Sequence, residues 1–75
     1  MNLYERVYQY MKEHGSLTPF EATTEIGIID LARTISYMRK NGYDDIIGKP
    51  EKAVNRYGDK VRYYRYSLKG ETDEK

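Results

Sequence analysis

Between Asn55 and Tyr66 the chain reads NRYGDKVRYYRY, with Arg, Lys and Tyr alternating around a Gly58-Asp59 turn. These side chains suit one kind of chemistry. Guanidinium and ammonium groups neutralise phosphates, and tyrosine hydroxyls donate to phosphate oxygens while their rings pack against sugars. The net charge of +1 conceals how the cations are laid out. From Met1 to Gly48, five cations meet seven anions. From Lys49 to Gly70, seven cations meet only Glu51 and Asp59, and the last five residues are again acidic. A basic segment inside a nearly neutral chain is a local field, and a polyanion responds to a local field.

Other chemistry is poorly supplied. There is no cysteine, and His14 is the only histidine, so thiolate sites and the usual zinc sites are out of reach. His14 sits at a helix end, where a cation suits the dipole, and no buried acid is in place to orient it. The pairs Glu21/Glu25 and Asp44/Asp45 read as surface carboxylates. No Gly-rich phosphate loop follows a strand. The expectation is a protein that is not an enzyme and that uses no cofactor and no metal. Seventy-five residues allow one domain with a small core. The longest apolar run is far too short for a membrane span. The start, Met-Asn-Leu-Tyr-Glu-Arg, lacks a signal peptide's basic and apolar segments. A cytoplasmic protein with no membrane partner is expected.

Four elements must position the basic and aromatic residues. Leu3, Val7, Tyr10 and Met11 recur at helical spacing, with Asn2 as cap and Gly15 as stop. A second, shorter helix opens on Thr18-Pro19 with Glu21 three residues after Thr18, a capping box. Phe20, Ala22 and Ile26 are its inward candidates, Gly27 ends it, and Leu17 offers a brief strand ahead of it. A third helix runs from Asp30 to Asn41 on a stripe of Leu31, Ile35 and Met38, widened by Ala32. After Gly42 the pattern becomes β-like. A hairpin is expected with its tip near Asn55 to Asp59, Pro50 marking an edge or bulge, and Lys60 to Leu68 as its second strand. Residues 1–69 form the domain on this reading, and 70–75 a flexible acidic tail.

A short helix, a Gly-containing turn and a longer helix make a helix-turn-helix. Three helices followed by a two-stranded β-hairpin wing make an α+β winged helix-turn-helix. The sequence also resembles small winged helix-turn-helix proteins of phages and prophages. Their third-helix pattern is similar to Leu31, Ile35, Met38, Arg39, Gly42 and Tyr43. Their wing pattern is similar to Asn55, Arg56, Tyr57, Gly58, Lys60, Tyr63, Tyr66 and Leu68. The GSLTPFEA stretch also resembles that family's approach to the second helix, and the likeness runs from Leu3 to Leu68. The resemblance implies a DNA-binding domain of phage or mobile-element origin, acting as a transcriptional regulator or an excisionase-like architectural factor.

With Leu31, Ile35 and Met38 inward, helical geometry turns Arg33, Ser36, Tyr37 and Lys40 outward and leaves Thr34 on the flank. Base readers of a helix-turn-helix come from the exposed N-terminal half of its second helix. Arg33 is therefore the candidate for a guanine O6/N7 contact. Thr34 and Tyr37 are candidates for a methyl, a base edge or a phosphate, and Lys40 for the backbone. On the wing, Arg56, Lys60 and Arg62 are assigned to phosphates or the minor groove, with Asn55 and Tyr57 beside them at the tip. Plainer roles compete with these. The helix cations can be a solvated face, the wing cations can guard a sheet edge, most tyrosines can be core, and Arg39 can pair with a carboxylate. The expected partner is double-stranded DNA, bound by a monomer or weak dimer. The alternative is a module that docks on a host or phage protein. Asp30, the Asp44-Asp45 pair and an exposed Ile28 or Ile29 with Tyr37 and Tyr57 favour that alternative.

Overall fold

A computed structural model describes residues 2–72, with side chains from residue 2 to 70. The first three helices each start where the sequence places a side-chain cap. α1 spans Leu3–His14, and the Asn2 and Glu5 side chains each accept from the other's backbone N–H, at 2.9 and 3.1 Å. Val7 and Met11, one turn apart, are fully buried, whereas Leu3 is exposed and Tyr10 half-buried. Tyr4 and Tyr8 line the core margin and meet the Tyr43 ring at 6.2 and 5.3 Å.

α2 begins at Pro19 behind a second reciprocal cap between Thr18 and Glu21. Pro19–Glu21 is α-helical, and the coil then widens into a π-helix over Ala22–Ile26. The Gly27 and Ile28 N–H groups both donate to the Ala22 carbonyl, and the Thr23 hydroxyl donates to the Ile28 carbonyl. Gly27 takes φ 90°, a left-handed conformation that is cheap only without a Cβ. Ala22 is buried as expected, but Phe20 is 75% exposed. Two residues apart on a helix means about 200° of rotation, so a core-facing Ala22 turns Phe20 to the opposite side.

α3 spans Leu31–Lys40, with the Asp30 carboxylate accepting from the Arg33 N–H. The acid at the start of this helix is therefore its cap. Leu31, Ile35 and Met38 are buried, while Ala32, expected to widen the stripe, is exposed. In the linker before α3, Ile28 is buried and Ile29 is 93% exposed.

β1 (Ile46–Val54) and β2 (Lys60–Leu68) form an antiparallel hairpin in which each partner pair is equidistant from Tyr57. Leu17 extends the sheet as an isolated bridge, its N–H and carbonyl both bonded to Tyr66 at 2.8 and 2.9 Å. That bridge sets the sense of the ladder. Tyr66 points its backbone groups away from Gly48, so alternation also turns those of Ile46, Gly48, Pro50, Lys52 and Val54 outward from β1. Pro50 thus falls where its missing N–H costs no ladder bond and blocks pairing along the β1 edge. The strand runs through it without the bulge that was one of the two expectations. Gly48 also makes room for Tyr66, because a Cβ there would lie 3.0 Å from the ring. Burial raises the Tyr66 phenol pKa above its ordinary value.

Two side chains differ from expectation at the helix–sheet junction. Arg39 donates through Nη2 to the Ile46 carbonyl at 3.0 Å rather than pairing with a carboxylate. The Ile46 carbonyl is one of those turned away from β2, so it needs a donor. Asp45 is half-buried and accepts from the Tyr8 hydroxyl at 3.0 Å, so it is a junction residue and not a surface acid. The Asp45 carbonyl accepts from the Lys69 N–H at 2.7 Å, where one helical turn, α4 (Lys69–Thr72), runs from the last residue of the expected domain into the segment read as tail. The rest of that expected tail, residues 73–75, lies outside the described residues.

One face of the hairpin carries an internal ion pair. Glu51 accepts from Arg65 Nε and from the Tyr63 hydroxyl, each at 3.0 Å, and Arg65 also donates to Ser16 Oγ at 2.9 Å. The Arg65 hydrogen bond, then the Tyr63 one, holds the Glu51 carboxyl below its ordinary pKa. A depressed carboxyl pKa stabilises the fold above the unfolded value, and that contribution is lost as pH falls through the folded value. Glu51→Gln should therefore lower the wild-type Tm at neutral pH. The gap should close on acidification below the ordinary carboxylate range, as read by circular dichroism melts.

Candidate nucleic-acid interface

The outward face of α3 falls where the spacing predicts. Arg33, Ser36, Tyr37 and Lys40 are exposed, and Thr34 is half-buried. The Arg33 guanidinium stands 6.0 Å from the Tyr37 ring centre, one turn along. This cation–π contact keeps the guanidinium on the exposed face. Thr34 uses its hydroxyl on the Asp30 carbonyl at 3.2 Å, which leaves its methyl as the group suited to an outside contact. Lys40 closes the helix at its C-terminal turn.

The wing carries the second set. From Lys52 to Arg62 every residue but Ala53 is exposed, so this part of the hairpin stands clear of the core. Asn55 organises the tip. Its Oδ1 accepts from the Tyr57 and Asp59 N–H groups at 2.9 and 3.0 Å, while its own N–H donates to the Asp59 carbonyl. Its carbonyl oxygen thus shapes the turn that presents Arg56 and Tyr57. Tyr57 is 79% exposed, and the Arg56 guanidinium lies 5.8 Å from its ring centre. Lys60 and Arg62 follow along β2, both exposed.

The nine candidates thus fall into two groups, four on α3 and five on the wing. Arg39 ties the two supporting elements together through Ile46. Lys52, outside the nine, is a further exposed cation of the wing. Its place directly opposite Arg62 was available by counting outward from Tyr57. Arg65, a further cation of the basic segment, is occupied by Glu51 and Ser16. Among the described residues no group of acids and histidines could hold a metal ion. No helix among them is long and apolar enough to cross a membrane.

A capped second helix, a left-handed Gly27 turn, a third helix with a polar outer face and a basic hairpin after it define a helix-turn-helix domain with a wing. The family comparison agrees: residues 2–71 match the winged helix-turn-helix domain. The chain belongs to that family. Searches among curated proteins and among solved structures each found no match.

Proposed function

We propose that the protein binds double-stranded DNA, with α3 in the major groove and the wing on the adjacent backbone or minor groove. The observation that carries this reading is the joint exposure of Arg33, Tyr37 and Lys40 on α3 and of Arg56, Lys60 and Arg62 on the wing. Membership of the winged helix-turn-helix family supports the same partner class. The protein acts as a small transcriptional regulator or an excisionase-like architectural factor, in the cytoplasm, and the phage or mobile-element setting rests on the sequence resemblance alone. Pro50 on the outer edge of β1 and the Leu17 bridge on β2 both discourage strand-to-strand association, which supports a monomer or weak dimer.

Fluorescence anisotropy with random duplex DNA at several salt concentrations tests this. The expected result is micromolar-range binding with a log–log salt slope of about −3 to −5, the mark of several neutralised phosphates. Absence of binding at low salt would remove the reading. The docking alternative would then take its place, supported by the exposure of Phe20 and Ile29.

A further inference from the structure

The two faces of the wing are electrostatically different. Strand alternation puts Lys49, Glu51, Ala53, Val61, Tyr63 and Arg65 on one face. There Glu51 pairs with the Arg65 charge and accepts a hydrogen bond from the Tyr63 hydroxyl. The other face carries Pro50, Lys52 and Val54 opposite Tyr64, Arg62 and Lys60. Lys52 and Arg62 are direct cross-strand partners. Because Tyr66 bonds outward to Leu17, Lys52–Arg62 is a pair of the non-hydrogen-bonded kind, in which side chains stand closest. Like charges so opposed are destabilising. Among the described residues neither forms an ion pair: the wing's ion pair is Arg65–Glu51, and Asp59, at the tip, makes none. Lys52, Arg62, Pro50 and Tyr64 line a hollow whose margin Glu51, committed to Arg65 and Tyr63, also reaches. Inboard of it Tyr64 borders a second hollow with Arg39 of α3, so this face continues toward the third helix.

We infer that this α3-side face of the wing, centred on Lys52, Arg62 and Tyr64, is the surface that takes the DNA backbone, and that the Glu51–Arg65 face is not a contact face. The inference rests on the DNA-binding reading and adds to it two residues, Lys52 and Tyr64, and a direction of approach. The repulsion between Lys52 and Arg62 is relieved when a phosphate lies between them. Tyr64, 51% exposed and beside Pro50, offers a ring edge and hydroxyl to the adjoining sugar and phosphate. Cations that merely guard an edge have no need to oppose each other across the strands, and Pro50 already blocks the β1 edge.

The test compares Lys52→Ala, Arg62→Ala and Lys49→Ala in the full chain, Lys49 being exposed on the opposite face. Each variant is titrated into a random-sequence duplex over a salt series and melted in the absence of DNA. Lys52→Ala and Arg62→Ala should each flatten the salt slope by about 1. Their Tm should hold or rise, because each removes one of two repelling charges. Lys49→Ala should leave the slope unchanged. Equal flattening by Lys49→Ala and Lys52→Ala would overturn the face assignment while leaving DNA binding intact. So would a lowered Tm for Lys52→Ala with an unchanged slope. A wild-type protein with no salt-dependent binding would remove the DNA reading, and the face assignment with it.

Discussion

Ile35→Ala should cost about 2–5 kcal/mol and remove most of the stability of the fold. Ile35 is 1% exposed, in the middle of α3 with Leu31 and Met38 buried on either side. A core in a chain of this size supplies only about 3–5 kcal/mol of margin. Truncating the side chain leaves a cavity that the capped and hydrogen-bonded ends of α3 cannot easily collapse around. Urea unfolding followed by far-ultraviolet circular dichroism should show a midpoint shifted close to zero denaturant, or no cooperative transition at all. Ile29→Ala is the control. Its side chain lies almost wholly in solvent, so the change should stay within about 0.5 kcal/mol. Equal, small losses for the two variants would mean that α3 presents a different face to the core. The outward set Arg33, Tyr37 and Lys40 would then have to be reassigned as well.

The two isoleucines also show which parts of the fold could be read from residues alone. The helix starts at Asn2, Thr18 and Asp30 were legible because a cap is a local bargain between a side chain and an N–H three residues on. The tip at Asn55 to Asp59 was legible for the same reason, since Asn55 shapes the turn through bonds within five residues. Tertiary partners were not. Arg39 lies within reach of several acids in sequence, but it bonds a backbone carbonyl that only the register of the sheet exposes. Asp45 looked like surface charge until Tyr8 of α1 and Lys69 after β2 were brought to it. Phe20 was read as core by its type, whereas the helical phase of Ala22 decides its direction. The π-turn of α2 closes on the Gly27 N–H reaching the Ala22 carbonyl five residues back, a bond that no local pattern announces.

The candidate site divides along the same line. The outer face of α3 follows from 100° of rotation per residue once three core positions are known. The wing does not, because tyrosines and cations occupy both of its faces. A single long-range bridge, Leu17 to Tyr66, was needed to tell which backbone groups of the strands point outward. It also reveals Lys52 and Arg62 as a close cross-strand pair.

Arg33→Ala and Arg56→Ala should separate sequence reading from backbone holding. Both side chains are exposed and neither is part of the core, so both variants should keep the wild-type circular dichroism spectrum and melt. A guanidinium that forks onto guanine O6 and N7 contributes discrimination of about 1–3 kcal/mol. Arg33→Ala should therefore weaken binding to a selected, preferred duplex by roughly 5- to 150-fold. It should weaken binding to a scrambled duplex much less, so that the preference itself shrinks. Arg56, at the wing tip beside Tyr57, meets the backbone on this reading. Arg56→Ala should weaken both duplexes by the same factor and flatten the salt slope by about 1, since one fewer counterion is released. The two variants lose affinity in different currencies, one in specificity and the other in salt dependence, so a common loss of foldedness cannot mimic the pattern. Unchanged affinity for both, with unchanged spectra, would remove Arg33 and Arg56 from the interface. A swapped pattern, with Arg56→Ala erasing the preference, would place the base reader on the wing.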